Sequence, residues 1–373
     1  MDISIIPQPI RAQPWGIILL LVVLSGFGFA ILYSAAGGSV SPWAGLHAAR
    51  FTVFLIMALV ISYMPESLFR FSALPVYVIL LLMLLGVEIL GQVRGGSQRW
   101  LELGFMRIQP SELMKPGIVL VTARFYATLP RGMIRGWAAI WPLLVMMGLP
   151  AALVLLQPDL GTTLTICIGA VTVAFLAGLP MRLFVGASAA AAVAIPLAYL
   201  FLLEPYQQRR VSTFLNPEND PLGSGYHITQ SKIAIGSGGI DGKGFLQGSQ
   251  SHLDYLPEGH TDFVFATMAE EWGLIGGLAV IFAYFLLLRW GWRLSFNAPN
   301  RFTKLLAGGL TMTIFLYAAI NMMMVMGLAP VVGIPLPFLS HGGSSMMTVM
   351  ICIGMLMAID RQLRQRPGTS TFS

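Results

Sequence analysis

A carboxylate stands at the start of a long apolar segment, in the stretch LPEGHTDFVFATMAEEWG at residues 256–273. After Asp262 the chain stays largely apolar to Leu288, broken only by Glu270 and Glu271. An Asp before a helix is favoured as an N-cap and by the helix dipole. The same carboxylate at a membrane surface could act as a general base. Both interpretations of Asp262 are open on the sequence alone.

Small residues would line the helix face below Asp262. One and two turns further on, Ala266, Ala269 and Gly273 fall on roughly the same face. Small side chains under a carboxylate leave room for a substrate or for a closely packed helix. The sequence therefore favours Asp262 as the first candidate for chemistry.

Two His-x-Asp steps occur near this position, at His252 and Asp254 and at His260 and Asp262. A metal could use them, but their spacing is not that of a known zinc motif. We interpret His260 as a polar residue that orients the loop, and we predict no metal site. The sequence requires no cofactor, although a divalent cation that assists a reaction stays open.

Three further ionisable residues lie in or beside predicted membrane segments. Glu112 and Lys115 are three residues apart on one helical face, so they can form an ion pair. Asp159 follows Pro158 at a predicted helix start, where the dipole favours an acid. Ionisable residues at depth are costly and are functional candidates by default. Each of the three is open to a structural and to a functional interpretation.

The longest polar segment, residues 204–262, is of a length that is usually functional inside a compact protein. Its stretch YHITQSKIAI predicts a short helix that ends at Gly236. The following run GSGGIDGKG fails the Walker A pattern, which needs Gly at the position of Ser237 and Ser or Thr at that of Gly244. A closely approaching backbone and an anion-binding nest of N–H groups remain as alternatives for this run.

The chain that carries these residues has the composition of a membrane protein. Only 10% of its 373 residues are charged, against about 25% in soluble domains, and its mean hydropathy is +0.76. Apolar runs of about 20 residues are long enough to cross a hydrocarbon core. We predict an all-α polytopic membrane protein with about ten transmembrane helices and no cleavable signal. The predicted spans are 15–35, 47–63, 72–91, 112–129, 137–156, 160–178, 182–203, 263–289, 304–326 and 340–360.

The spans are predicted to form one transmembrane domain, residues 1–373, with 204–262 as a large extracytoplasmic loop between spans seven and eight. No internal repeat is evident, so an inverted-repeat transporter is not indicated. The net charge of +6 does not indicate nucleic-acid binding, because the positive residues lie in short loops. Cys167 and Cys352 lie in apolar runs and are interpreted as core residues.

Positive residues in the short loops orient the chain. With an even number of spans they fall on the side of both termini, which the positive-inside rule makes cytoplasmic. The opposite, outer side receives residues 91–112, the loop 204–262 and a glycine-rich turn with Ser340 and Ser344. The cytoplasmic set consists of Arg11, Arg70, Arg131, Arg135, Arg182, Arg289, Arg293, Arg301, Lys304, Arg361, Arg364 and Arg366.

Five stretches together resemble the SEDS family of shape, elongation, division and sporulation proteins, over nearly the whole chain and in the same order. The short tails and the GYHITQSKIAIGSGG loop are more similar to the elongation members than to the division members. His341 departs from the Tyr that the family more often has in that turn. The five stretches are RGGSQRWLELGFMRIQPSELMK, QPDLGTTL, GSGYHITQSKIAIGSGGIDGKG, LPEGHTDFVFATMAEE and GLAPVVGIPLPFLSHGGSS.

The resemblance implies a peptidoglycan glycosyltransferase that polymerises lipid II outside the cytoplasmic membrane during cell elongation. It implies a class B penicillin-binding transpeptidase and other elongation proteins as partners. By motif, Asp262 matches the essential carboxylate of the family, and Glu112, Lys115 and Asp159 match its other important polar positions. His260, Ser340 and Ser344 are supporting candidates within the matched stretches.

Glycosyl transfer from a lipid pyrophosphate needs a base for the acceptor hydroxyl and positive charge for the leaving group. Asp262 is the predicted base, and attack opposite the leaving group would invert the anomeric carbon. The predicted cationic candidates are Arg209, Arg210, Lys232 and Lys243.

Two other functions stay open on the sequence. A lipid II flippase or other lipid-linked sugar transporter would place ionisable residues on both sides of a central cavity, whereas here they concentrate at the outer face. A non-catalytic scaffold for wall-synthesis proteins would tolerate loss of the Asp262 carboxylate.

Overall fold

The computed structural model describes residues 12–90, 92–94, 97–103, 106–201, 205–216, 223–252, 255 and 259–365. Asp254, Arg11 and Arg366, which belong to the sequence predictions above, lie outside these residues. The same holds for the side chains of Arg209, Arg210 and His252. The helices are α1 Trp15–Ala35, α2 Ala44–Ser62, α3 Glu66–Leu90, α4 Pro110–Thr128, α5 Trp137–Leu156, α6 Leu160–Ala177, α7 Met181–Phe201, α8 Pro205–Leu215, α9 Ser224–Gly238, α10 Ser249–His252, α11 Val264–Asn297, α12 Arg301–Val325 and α13 Gly343–Arg364.

Each of the ten segments predicted to span the membrane contains a helix, and the chain is an integral membrane protein. Eight of them, namely α1 to α3, α5, α6 and α11 to α13, are long and apolar enough to cross a bilayer. The count of ten is not confirmed. The other two are α4, which carries Glu112, Lys115 and Arg124, and α7, in which Met181–Ala194 is a shorter apolar stretch of the described residues.

Residues between α3 and α4 form a small antiparallel sheet that the all-α prediction did not include. Its strands are β1 Gln92–Arg94, β2 Ser97–Leu103 and β3 Met106–Ile108, in the order β1-β2-β3. Trp100 pairs with Gln92, and Leu101 pairs with Ile108. The sheet lies at the end of the bundle where α4 begins.

Helices α4, α12 and α13 are the most buried helices of the described bundle, whereas α2 and α5 present most of their surface outward. A single core of buried apolar side chains contains residues from Ile18 in α1 to Ile359 in α13. That residues 1–373 form one transmembrane domain stays a prediction. Burial of α4 matters for the site, because its ionisable residues must find partners inside the protein.

Helix α11 is broken at Gly273, whose φ of 60° and ψ of −159° are not helical. Backbone groups on both sides of the break bond to the glycine run that follows α9. The Leu274 N–H donates to the Gly239 carbonyl at 3.0 Å, and the Lys243 N–H donates to the Glu270 carbonyl at 3.0 Å. The run thus replaces hydrogen bonds that a continuous helix would make, as apolar surroundings require.

Backbone passes so close to backbone at this junction that side chains do not fit. A Cβ on Gly238 would lie 2.0 Å from the Ala269 carbonyl oxygen, and one on Gly242 would lie 2.1 Å from that of Glu271. The close-approach interpretation of this run is confirmed. The N–H groups of Lys243 and Gly244 donate to α11 carbonyls, so these two groups do not contribute to an anion-binding nest.

We predict that Gly242→Ala lowers the melting temperature, since Gly242 has a φ of +83° in addition to the overlap. A left-handed conformation alone costs an L-residue roughly 1–2 kcal/mol. Thermal unfolding of the purified protein checks this. Gly236→Ala is the control, because a Cβ there meets nothing within 4 Å. Equal melting temperatures for the two variants would contradict the close approach of Gly242 to the α11 backbone.

Candidate active site at one end of the helix bundle

Asp262 lies in the turn 259–263 that leads into α11. The N-cap of α11 is Phe263, and no side chain caps this helix. The interpretation of Asp262 as the N-cap is therefore wrong. The turn is held through its backbone, because the Asn321 Nδ2 donates both to the Asp262 carbonyl at 2.8 Å and to the Ile334 carbonyl at 2.7 Å.

The segment 326–342, between α12 and α13, passes in front of the Asp262 carboxylate. Gly333 has a φ of +73°, and a Cβ built on it would lie 3.4 Å from the Asp262 Oδ2. The preceding residue, Val332, packs on Gly161 so closely that a Cβ on Gly161 would overlap its Cγ1. Two consecutive residues thus connect the start of α6 with Asp262.

His341 joins the Asp262 turn to α2. Its N–H donates to the His260 carbonyl at 2.9 Å, and the Arg50 guanidinium approaches its Nε2 at 3.2 Å. The His260 ring is half-buried and stacks on Trp43 with centroids 4.1 Å apart. Burial lowers the pKa of His341 to about 4, helped by the positive charge of Arg50. A neutral His341 can accept a hydrogen bond from Arg50.

Arg50 brings positive charge to the same end of the bundle. A Cβ on Gly343, the first residue of α13, would lie 3.4 Å from the Arg50 Cζ. The guanidinium and the N-terminal N–H groups of α13 are therefore adjacent. Both favour an anion at this place.

Asp159 is buried and caps α6, as its structural interpretation predicts. Its carboxylate accepts from the Thr162 N–H and from the Thr162 hydroxyl, each at 3.0 Å. Arg99 of β2 lies 3.4 Å from the Asp159 Oδ2 and donates to the carbonyls of Gln157 and Pro158. The sheet thereby fixes the loop between α5 and α6.

Glu112 and Lys115 form the predicted ion pair, with the Lys115 Nζ 2.6 Å from the Glu112 Oε1. Tyr317 of α12 completes a buried triad: its hydroxyl donates to Glu112 and accepts from Lys115 at 3.0 Å. The Lys115 Nζ also lies 4.2 Å from the centre of the Tyr317 ring. The pair predicted from spacing is confirmed, and the third member comes from 202 residues further along the chain.

Tyr317 and Asn321 are four residues apart and therefore lie on one face of α12. The first binds the Glu112–Lys115 pair and the second binds the backbone of Asp262. Helix α12 is thus the element that sets the position of the triad relative to the Asp262 turn.

The cationic candidates differ in their surroundings, and their role stays a prediction. The Lys243 Nζ is 2.6 Å from the Glu270 Oε1, and Glu270 is fully buried. Lys232 is exposed and lies over Gly327, and it makes no ion pair with any residue in the described ranges. Arg209 and Arg210 lie on α8.

The serine candidates lie near the start of α13. The buried Ser340 hydroxyl accepts from the Leu336 N–H at 2.8 Å, which closes the turn before His341. Ser344 is half-buried in the first turn of α13. In the part of the chain that the structure describes, no three His, Cys, Asp or Glu side chains lie together as metal ligands.

Four residues of the site were not among the sequence candidates: Arg50, Arg99, Tyr317 and Asn321. Asn321 carried the clearest signal, because an Asn inside an apolar span needs a polar partner in the protein. Arg50 carried a similar signal, as a cation within a predicted span.

The fold and the site define an integral membrane protein with a partly accessible carboxylate and a cation at one end of its helix bundle. The chain matches the cell cycle protein family of FtsW, RodA and SpoVE over residues 15–365 and belongs to that family. Escherichia coli peptidoglycan glycosyltransferase MrdB is 40% identical over 344 residues, which cover 92% of each chain. Bacillus subtilis stage V sporulation protein E is 37% identical and covers 76% of this chain and 77% of its own.

Solved structures agree with the fold. A chain solved in work on the structural coordination of polymerization and crosslinking by a peptidoglycan synthase complex aligns with a TM-score of 0.82. It is 30% identical, and the match covers 95% of this chain and 99% of that one. The rod shape determining protein RodA of Thermus thermophilus aligns with a TM-score of 0.70 at 26% identity, covering 95% and 98%.

We predict that Lys115→Met destabilises the protein, because it leaves the Glu112 carboxylate buried without its cation. Breaking a buried pair from one side costs roughly 3–5 kcal/mol. Thermal unfolding should show the single variant to be less stable than the double variant Glu112→Gln/Lys115→Met. If the double variant lost at least as much stability as the two single variants lose together, the two residues would not be coupled.

We predict that His341 makes stability fall with acidity. In the unfolded chain a His takes up its proton near pH 6.5, whereas in the folded protein it does so near pH 4. Between these values the unfolded state binds more protons, so stability decreases as the pH falls through this window. Melting temperatures of His341→Gln and wild type, compared at pH 7.5 and 4.5, should show the smaller loss in the variant. Parallel losses would exclude His341 as a cause.

Proposed function

We propose that this chain is a peptidoglycan glycosyltransferase that polymerises lipid II into glycan strands during cell elongation. The proposal is supported by its membership of the family and by its 40% identity over 92% of the chain to a protein named peptidoglycan glycosyltransferase. Both termini are assigned to the cytoplasm, on the side of the positive loops. Asp262 then faces outward, where lipid II presents its sugars.

Asp262 is the proposed general base. Glu112, Asp159, Glu270 and Glu271 are buried, whereas Asp262 is partly exposed. A base must come within hydrogen-bond reach of the hydroxyl whose proton it takes. The accessibility of this carboxylate at the outer end of α11 is the observation on which the assignment depends.

The reaction follows from this placement. The Asp262 carboxylate takes the proton of the acceptor hydroxyl, and the oxygen of that hydroxyl attacks the anomeric carbon of the donor sugar. The bond from that carbon to the lipid pyrophosphate breaks, and the electron pair leaves with the pyrophosphate. Attack opposite the leaving group inverts the anomeric carbon. No strong acid is needed, because the pyrophosphate leaves as an anion.

Arg50 and the start of α13 are proposed to stabilise the departing pyrophosphate. They provide adjacent donors beside the His341 turn, which is bonded to the turn of Asp262. Positive charge placed where negative charge develops on the leaving group lowers the barrier to glycosyl transfer. Lys232, Arg209 and Arg210 are further cationic candidates, whereas Lys243 already pairs with Glu270.

The proposed partner is a class B penicillin-binding transpeptidase within an elongation complex. A solved relative comes from a peptidoglycan synthase complex in which polymerization and crosslinking are coordinated. The proposed chemistry requires no cofactor. EDTA added to the polymerisation assay tests whether a divalent cation assists departure of the pyrophosphate.

Polymerisation of labelled lipid II by the purified protein with its transpeptidase tests the base. We expect Asp262→Asn and Asp262→Ala to lose activity by roughly a hundredfold or more, because general-base catalysis contributes 10²–10⁴-fold. Asp241→Asn, which removes an exposed carboxylate of the 204–262 loop, is the matched control and should keep its activity.

Folding and transpeptidase binding are measured for every variant. Polymer from the Asp262 variants at the wild-type rate would exclude Asp262 as the base. A sound complex that makes no polymer even with the wild-type chain would favour the lipid II transporter.

Arg50→Gln should lower the rate with Asp262 intact, and an unchanged rate would remove Arg50 from the mechanism.

A further inference from the structure

A cavity of about 650 Å³ lies between the start of α1 and the end of α11, at the opposite end of the bundle from Asp262. Three arginines line it: Arg289 and Arg293 of α11 and Arg364 of α13. The proposed topology places this end on the cytoplasmic side. The glycosyl transfer proposed above takes place at the Asp262 end of the bundle and gives this cavity no role.

The positive charge at this cavity is only partly compensated. Arg364 donates to both oxygens of Asp360, at 3.0 and 3.2 Å, and Trp290 donates to the same carboxylate at 2.8 Å. Arg289 and Arg293 are exposed, and neither is paired with another residue of the described chain. Like charges four residues apart on a helix repel each other. An anion between these two arginines would relieve that repulsion.

A buried polar group also lines the cavity. Gln13 is 2% exposed, and its Nε2 donates to the Ser62 hydroxyl at 2.8 Å. Its Oε1 is buried and has no hydrogen-bond partner within the described residues. A buried acceptor without a donor costs free energy. A hydroxyl group in the cavity would supply the donor.

The remaining wall of the cavity is apolar and follows α1 from Trp15 to Val23. Leu19 and Val23 of α1 line it and are mostly exposed, and Leu286 of α11 faces them. From Trp15 to Val23, α1 rises about 12 Å, at 1.5 Å per residue. Trp15 stands at the mouth, and Trp is typical of the membrane interface. The cavity is therefore cationic at its aqueous end and apolar along the depth of one leaflet.

We propose that this cavity binds an anionic phospholipid of the cytoplasmic leaflet. Its phosphodiester lies between Arg289 and Arg293, and a headgroup hydroxyl donates to the Gln13 Oε1. One acyl chain lies along Leu19 and Val23. Basic pockets between transmembrane helices on the cytoplasmic side recognise such headgroups by the same combination. The proposal goes beyond the glycosyl transfer and uses only its assignment of the cytoplasmic side.

A second basic crevice provides the comparison. About 540 Å³ in volume, it is lined by Arg131, Arg135, Arg301 and Lys304 together with the 298–300 turn. Arg131 and Arg135 are exposed like Arg289 and Arg293. No residue of α1 lines this crevice. Loss of two arginines there removes the same charge without touching the proposed lipid site.

Native mass spectrometry of the full-length protein, titrated with phosphatidylglycerol, tests the proposal. We expect wild type to keep one phosphatidylglycerol in preference to phosphatidylethanolamine. Arg289→Gln/Arg293→Gln should weaken this binding roughly tenfold or more, since each arginine near an anionic lipid contributes to its attraction. The control Arg131→Gln/Arg135→Gln should bind as wild type does. Equal weakening in both double variants would mean general charge attraction and would overturn the site.

Two further binding measurements identify the ligand. Phosphatidylmethanol has the same charge but no headgroup hydroxyl, so wild type should prefer phosphatidylglycerol and Gln13→Leu should abolish that preference. Glycerol phosphate should not displace the lipid, and displacement at equal concentration would make the ligand a soluble phosphate instead. Since lipid binding is measured without lipid II, its failure leaves the test of Asp262 untouched, and the reverse also holds.

Discussion

A polar group buried among membrane helices has no water to bond to, so the protein must supply its partner. Helix α12 meets this requirement twice on one face. Its Tyr317 hydroxyl bonds both members of the Glu112–Lys115 pair, and its Asn321 carboxamide holds the carbonyls of Asp262 and Ile334. The position of the Asp262 turn therefore depends on hydrogen bonds made inside the bundle rather than at its surface.

The break in α11 obeys the same constraint by other means. Gly273 interrupts the helix, and the N–H and carbonyl groups around it bond to the glycine run 238–244. The buried Glu270 carboxylate then holds Lys243 and the Ser249 hydroxyl from the same loop. A loop that looks flexible in sequence is in this way attached to the helix that begins beside Asp262.

Much of the fold was predictable from the sequence, because apolar length and the spacing of nearby residues are local properties. Each of the ten predicted spans contains a helix, and the Glu112–Lys115 pair follows from its i,i+3 spacing. The partners of Asp262 were not predictable in this way. Asn321 lies 59 residues from it in sequence, and no periodicity encodes such a contact. Lys243 was chosen for its charge, and only the structure reveals the Glu270 carboxylate that it pairs with.

Burial, rather than residue type, distinguishes the acidic residues at the Asp262 end of the bundle. Glu112 pairs with Lys115, Asp159 caps α6 beside Arg99, Glu270 pairs with Lys243, and Glu271 accepts from Ser34. Each of these four carboxylates is buried and accepts at least one hydrogen bond. Asp262 is partly exposed, its backbone carbonyl accepts from Asn321, and Gly333 lies next to its Oδ2. A fixed main chain positions this carboxylate while the residue stays partly exposed, and a general base requires both properties.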